Sequence, residues 1–168
     1  MLQFLNLIAV CFVLLAGPVP AADRTHEFEL ANGLKLIVQE DHRAPVAVVQ
    51  IWYKIGSSYE YDGITGVSHA LEHMMFKGTK EIGPGEFSQI VAARGGNENA
   101  FTSTDYTAYF QTWSADNVEL SFELEADRMR NLLLADSEFK NEIRVVLEER
   151  RLRTDDNPQA LLGETARA

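Results

Sequence analysis

The 168-residue chain predicts an α+β domain, two layers deep, with an antiparallel or mixed β-sheet packed against helices. Three observations carry this expectation. Strand-like alternation comes first, helical periodicity follows from about residue 66, and a further strand pair interrupts the helices near residue 100.

"HEFELANGLKLIVQED" alternates apolar and polar residues on both sides of Asn32–Gly33, a pair suited to a two-residue type I′ hairpin turn. "PVAVVQIWYKIG" is rich in β-branched and aromatic residues and reads as a buried strand. A loop over Tyr59–Gly66 contains Asp62–Gly63 and a candidate N-cap, Thr65. The helix that follows takes Val67, Ala70, Leu71, Met74 and Met75 as its apolar face and Gly78 as its stop. Pro84–Gly85 introduces a short helix over Glu86–Arg94. "NENAFTSTDYTAYFQTW" then reads as two strands joined near Thr104–Asp105. Ser114 is placed to cap a helix over Asp116–Leu134, and Asp136–Ser137 opens another that runs to about Arg153. Asn157–Pro158 breaks the chain, and "QALLGETARA" reads as the start of one more helix, which predicts a fragment of something longer.

Residues 1–22 carry no charged side chain, and Leu2–Leu15 is almost continuously apolar before Gly17, Pro18 and Pro20. This pattern predicts a signal peptide, with export to a periplasm or to the medium. An uncleaved N-terminal membrane anchor is the alternative, and no stable membrane span is expected once the signal is removed. Residues 23–168 form the remaining domain. The only cysteine, Cys11, falls in the apolar run, so any metal site in the mature part must use histidine and carboxylate ligands. A net charge of −10 opposes nucleic-acid binding, which needs basic patches to meet phosphates.

The stretch "GVSHALEHMMFKGT" places His69, Glu72 and His73 on one helical arc of about 100°. Two imidazoles on successive turns suit one zinc ion, and a glutamate beside them suits general-base chemistry on water. A chance histidine pair on a helix surface is the bland reading. Zinc in a hydrolytic site takes three protein ligands, so a carboxylate elsewhere in the chain is expected to complete the set. In "NEIRVVLEERRLR", Glu142 and Glu149 stand seven positions apart and nearly in line along a helix, at the edge of a stripe of Phe139, Ile143, Val146 and Leu147. Glu148 points elsewhere. Ion pairing with Arg144, Arg150, Arg151 or Arg153 is the competing reading for all these acids.

The H-x-x-E-H order from His69 to His73, Glu149 at 76 positions after His73, and Glu142 seven before it together resemble the M16, pitrilysin-like family of zinc metallopeptidases. That family includes insulin-degrading enzyme and the mitochondrial processing peptidases. "ENAFTSTDYTAYF" is similar to the family's N-A-x-T strand, and the likeness runs from about residue 26 to Asn157. The resemblance implies a LuxS/MPP-like metallohydrolase fold, present here as an incomplete N-terminal part of the catalytic domain. It implies one zinc ion on His69, His73 and Glu149, with Glu72 activating water and Glu142 as a supporting acid. Asn99, Ala100 and Phe101 would pair with a peptide substrate bound as an added β-strand. A second homologous half or partner subunit would enclose the substrate and supply the groups that stabilise the oxyanion. The activity implied is that of a zinc endopeptidase on peptides or small unfolded proteins. A non-catalytic partner subunit and a different metal-dependent hydrolase are the competing functions. Without the resemblance, Asn99 reads as a turn residue at a strand start. Phe101, Tyr106, Tyr109 and Phe110 then read as core, as do Met74, Met75 and Phe76.

Overall fold

The computed structural model describes residues 24–166, so the predicted signal peptide lies outside the described residues. The described chain divides into two units at Ala44–Pro45.

In the first unit, β1 (Thr25–Glu29) pairs antiparallel with β2 (Lys35–Gln39), with Phe28 opposite Leu36. The hairpin is as expected, but its turn is not the two-residue type I′. Leu30 and Leu34 bond across the end, the Gly33 amide donates to Leu30 O, and of the turn residues only Gly33 takes a positive φ, 83°. Asn32 keeps a negative φ and uses its side chain to accept the Leu34 amide at 3.1 Å. This is a three-residue connection that needs one left-handed position, where type I′ needs two.

In the second unit, β3 (Val46–Tyr53), β4 (Asn97–Thr102) and β5 (Thr107–Ser114) form an antiparallel sheet in the order β3–β5–β4. Helices α1 (Val67–Met74), α2 (Glu86–Ala93), α3 (Val118–Asn131), α4 (Asp136–Arg150) and α5 (Pro158–Thr165) complete it. Helices α2 and α3 pack on the sheet, and α1 lies against both β4 and α4. This is the α+β two-layer arrangement expected. No helix among the described residues is long and apolar enough to cross a membrane.

The inner sheet face meets the helices through Tyr109, Gln111 and Trp113 of β5, and Trp113 joins Phe87, Val91 and Leu124 in the core. Gly96 is required here, because a Cβ would stand 2.9 Å from Val91 Cγ1 and 3.0 Å from Trp113. On the outer face Val46, Val48 and Trp52 are exposed, so β3 alternates and is not buried on both sides. Phe101 and Tyr106 lie on that face against Trp52, which takes them out of the core where the bare residue reading put them. Tyr109, Met74 and Met75 are buried as expected.

Beneath β5 the core holds a charged pair. Arg128 and Glu125 are 2% and 3% exposed and meet at 2.5 Å. Gln111 Nε2 also donates to Glu125, while Ser121 Oγ and Trp113 Nε1 donate to Gln111 Oε1. The Arg128 guanidinium stacks on Phe76, Phe87 and Tyr109, 4.3–5.1 Å from their ring centres.

Several helix ends differ from the sequence expectation. Helix α1 is not capped by Thr65. Its N-cap is Gly66 at φ 88°, and the Glu60 carboxylate accepts from the amides of Gly66 (2.7 Å) and Ser68 (2.8 Å). A carboxylate at a helix N-terminus satisfies orphan amides and complements the helix dipole. Burial pushes the Glu60 carboxyl up, but the amide hydrogen bonds, the Ser68 hydroxyl and the field of His69 together hold it below its ordinary value. Val67 and Leu71, assigned to the buried face of α1, are exposed, whereas Ser68 and Glu72 are buried. Ser114 makes no cap bond, and a single 3-10 turn, Ala115–Asn117, precedes α3. Phe139 and Leu147 of the predicted α4 stripe are exposed, and Glu142 is the buried residue of that helix. Helix α4 stops at Arg150 and passes into a π-helical turn, Arg151–Asp155. Asn157 caps α5 through the amides of Gln159 and Ala160.

Two stability tests follow from these contacts. Arg128→Ala leaves a buried carboxylate without its cation and should cost about 3–5 kcal/mol in urea unfolding; combining Arg128→Met with Glu125→Leu should recover most of that loss. Glu60→Ala should cost about 1 kcal/mol near neutral pH. The folded pKa of Glu60 is depressed, so its contribution is full above the unfolded value of about 4.3 and is lost as pH falls through the folded value. The gap between the unfolding curves of parent and variant should therefore begin to narrow as pH falls below about 4.3 and keep narrowing toward the depressed folded value.

Candidate metal centre

Helix α1 presents His69 and His73 one turn apart, with their Nε2 atoms 3.3 Å from each other. Glu149, near the end of α4, brings Oε2 to 3.5 Å from His73 Nε2 and 3.8 Å from His69 Nε2. These three residues form the group among the described residues able to hold a metal ion, and all three are partly buried.

The spacing tests whether an ion fits. Ligands about 2.1 Å from a tetrahedral metal stand about 3.4 Å apart. The three observed edges bracket that value, and two imidazole nitrogens with one carboxylate oxygen are a donor set zinc accepts. One further contact bears on the tautomer of His73. Its Nδ1 lies 3.1 Å from Glu142 Oε2, and a carboxylate there takes an N–H, which leaves the Nε2 lone pair aimed at Glu149 and His69.

Each α4 carboxylate divides its two oxygens. Glu142, 8% exposed, turns Oε2 to His73 and Oε1 to Lys77 Nζ at 2.6 Å. Burial pushes the Glu142 carboxyl up, but Lys77 and His73 outweigh it and hold it below its ordinary value. Glu149 turns Oε2 to the histidines and Oε1 to Arg153 Nη1 at 2.6 Å. Glu148 pairs with Arg151 away from the site, as the ion-pair reading has it.

Glu72, between the two histidines in sequence and on the same arc of α1, is buried, with Oε2 accepting from the Thr102 hydroxyl of β4 at 2.5 Å. It lines an open cleft of roughly 240 Å³ with His73, Phe76, Lys77, Asn99, Ala100 and Glu142. The fold thus brings together His69, His73, Glu149, Glu142, Glu72, Asn99 and Ala100. Phe101 is not among them: β4 alternates, and its ring lies on the outer sheet face with Trp52, Tyr106 and Phe110.

Sequence reasoning missed Thr102, Lys77 and Glu60. Lys77 stands four positions after His73, a spacing that carries a signal. Thr102 and Glu60 reach the site through pairing and loop geometry, which no local pattern encodes. Arg153 was weighed only as a partner for acids on its own helix, and Glu149 is the acid it finds.

The chain is similar to known proteins in sequence and in fold. The family model described as Insulinase (Peptidase family M16) matches residues 35–167. The zinc protease PqqE of Helicobacter pylori is 41% identical over 164 residues, which is 95% of this chain and 37% of that protein. A probable mitochondrial-processing peptidase subunit beta of Arabidopsis thaliana is 32% identical over 129 residues, 77% of this chain and 24% of that one. Subunit 1 of the bovine mitochondrial cytochrome b-c1 complex is 31% identical over 134 residues, covering 80% of this chain and 28% of that subunit. A crystal structure of a protease from Helicobacter pylori superposes with a TM-score of 0.79 at 42% identity, over 83% of this chain and 34% of that one. The chain therefore spans between about a quarter and little more than a third of the length of these relatives. It belongs to the insulinase family of peptidases, M16.

Proposed function

We propose that the chain carries the metal centre of a zinc-dependent endopeptidase that hydrolyses peptides or small unfolded proteins. The observation that carries this reading is the approach of Glu149, from a helix far along the chain, to within 3.8 Å of both histidine nitrogens. The names of the zinc proteases it resembles support it.

His69, His73 and Glu149 would hold one zinc ion, which when bound supplies Lewis acidity toward water and the peptide carbonyl. Glu72 acts as general base. Its Oε2 is held by Thr102, so its other oxygen is the one placed to accept a proton from water in the cleft. Glu142 keeps His73 in the tautomer that donates from Nδ1. The substrate lies as an added strand along the edge of β4, beside Asn99 and Ala100, where main-chain pairing is largely indifferent to side chains. A second homologous half or partner subunit encloses it, in keeping with one relative being named a subunit of a processing peptidase. The uncharged, apolar first 22 residues support export to a periplasm or to the medium.

A relative named as a subunit of the cytochrome b-c1 complex favours the second reading, a partner subunit without catalysis of its own. One variant separates the two. In the full-length protein, assembled with its partner where it has one, Glu72→Gln should lower kcat on a quenched fluorescent peptide by about 10²–10⁴-fold. Bound zinc should stay at one ion per chain. Full activity in that variant would remove Glu72 from the reaction.

A further inference from the structure

We propose that Lys77 is a positioning residue of this centre, acting through Glu142 on His73. The inference rests on the zinc reading above.

Glu142 is the one buried residue of α4 among those described, and its two oxygens serve different partners. Oε2 faces the His73 ring and Oε1 faces the Lys77 ammonium, at 3.1 and 2.6 Å. Lys77 and His73 come from consecutive turns of one segment, so Glu142 is gripped from two points on the same stretch of backbone. That stretch is stiff beyond the end of α1. The Phe76 amide donates to His73 O at 3.2 Å, and the Lys77 amide donates to Met74 O at 3.0 Å. Gly78 follows at φ 106°, where a Cβ would stand 3.0 Å from Ile82 O, so the chain's exit from the turn is fixed as well.

The energetics favour a directing role over a decorative one. A surface ion pair contributes little because water competes for both partners. Here the side chains are only 27% and 10% exposed, so the carboxylate has few other places to send its negative charge. With the ammonium on Oε1, the Glu142 side chain holds one rotamer and Oε2 stays in line with His73 Nδ1. Without it, the carboxylate can swing away from the ring, and the imidazole loses the acceptor that selects its tautomer. Outer partners of metal-ligating histidines act this way, and their loss typically weakens metal binding about 10–100-fold. Lys77 stands one step further out, at the low end of that range.

The test uses the full-length protein with ¹⁵N-labelled histidine, and compares the parent with Lys77→Met and Lys77→Arg. Zinc affinity is read by competition with a chromophoric chelator. The His73 tautomer is read in the metal-free protein by long-range ¹H–¹⁵N correlation, and folding by thermal melts. Lys77→Met should bind zinc about tenfold more weakly. It should also lose the Nδ1–H preference of His73, and Lys77→Arg should restore both. An Lys77→Met variant that melts normally with unchanged zinc affinity and tautomer overturns the proposal, as does an Lys77→Arg variant no better than Lys77→Met. If Lys77→Met does not fold, Lys77→Gln is read by the same criteria. If the parent itself binds no zinc, the functional reading fails, and the tautomer comparison alone decides the role of Lys77.

Discussion

The hydrogen bond between His73 Nδ1 and Glu142 is the contact on which the geometry of the site depends. Helix α1 has eight residues, and an isolated helix that short is not stable in water. Its orientation must come from what it touches. Glu60 holds its first amides, β4 lies along one side, and α4 lies along the other. Glu142 and Glu149, two turns apart on α4, both reach the same imidazole, one at Nδ1 and the other toward Nε2. The ring of His73 is therefore clasped between two carboxylates of one helix face. Any shift of α4 along α1 would break both contacts together, which explains why seven is the spacing that works.

Behind this clasp stands a second polar centre that does different work. The Arg128–Glu125 pair and Gln111 satisfy most of their hydrogen-bonding groups among themselves in the core. The guanidinium also covers the ring of Phe76, which directly precedes Lys77. The core network thus backs the turn that leaves α1. Buried charges cost desolvation energy and are tolerated where their partners are fixed. In the core that cost is spent on a unique packing. At the cleft each acid has a partner of its own: Thr102 for Glu72, Lys77 for Glu142 and Arg153 for Glu149.

Much of this was legible in the sequence, for reasons that differ between elements. His69, Glu72 and His73 lie within one helical turn of each other, so the 3.6-residue period alone places them together. Glu142 and Glu149 could be aligned with each other by the same period, but their approach to α1 is a matter of tertiary packing. Only the likeness to a family carried them across the 69 and 76 positions that separate them from His73. The elements were legible because Gly, Pro and Asn mark their boundaries. The helix ends were less so. Thr65 and Ser114 have the right chemistry for caps, but Glu60 and a 3-10 turn do the work, because a longer side chain from a preceding loop can outcompete a neighbour. Phe101 and Val48 show a further limit. Apolar character says that a residue prefers burial, but not which face of a sheet the helices cover.

The edge strand joins these constraints. Among the described residues β4 pairs with β5 alone, and an unpaired edge is a standing invitation to another strand. Here part of the invitation is closed. Asn99 folds its side-chain oxygen onto the Ala100 amide at 2.8 Å, occupying a donor that would otherwise point outward. In the proposed binding mode an incoming strand would displace that bond, and without one the amide stays satisfied. Two residues further on, on the same face as Ala100, Thr102 holds Glu72. The strand proposed to set the register of a bound peptide is thus the strand that holds Glu72. Register and chemistry share one element because the side-chain alternation of β4 sends Ala100 and Thr102 inward together, and a slip of one residue would send both outward.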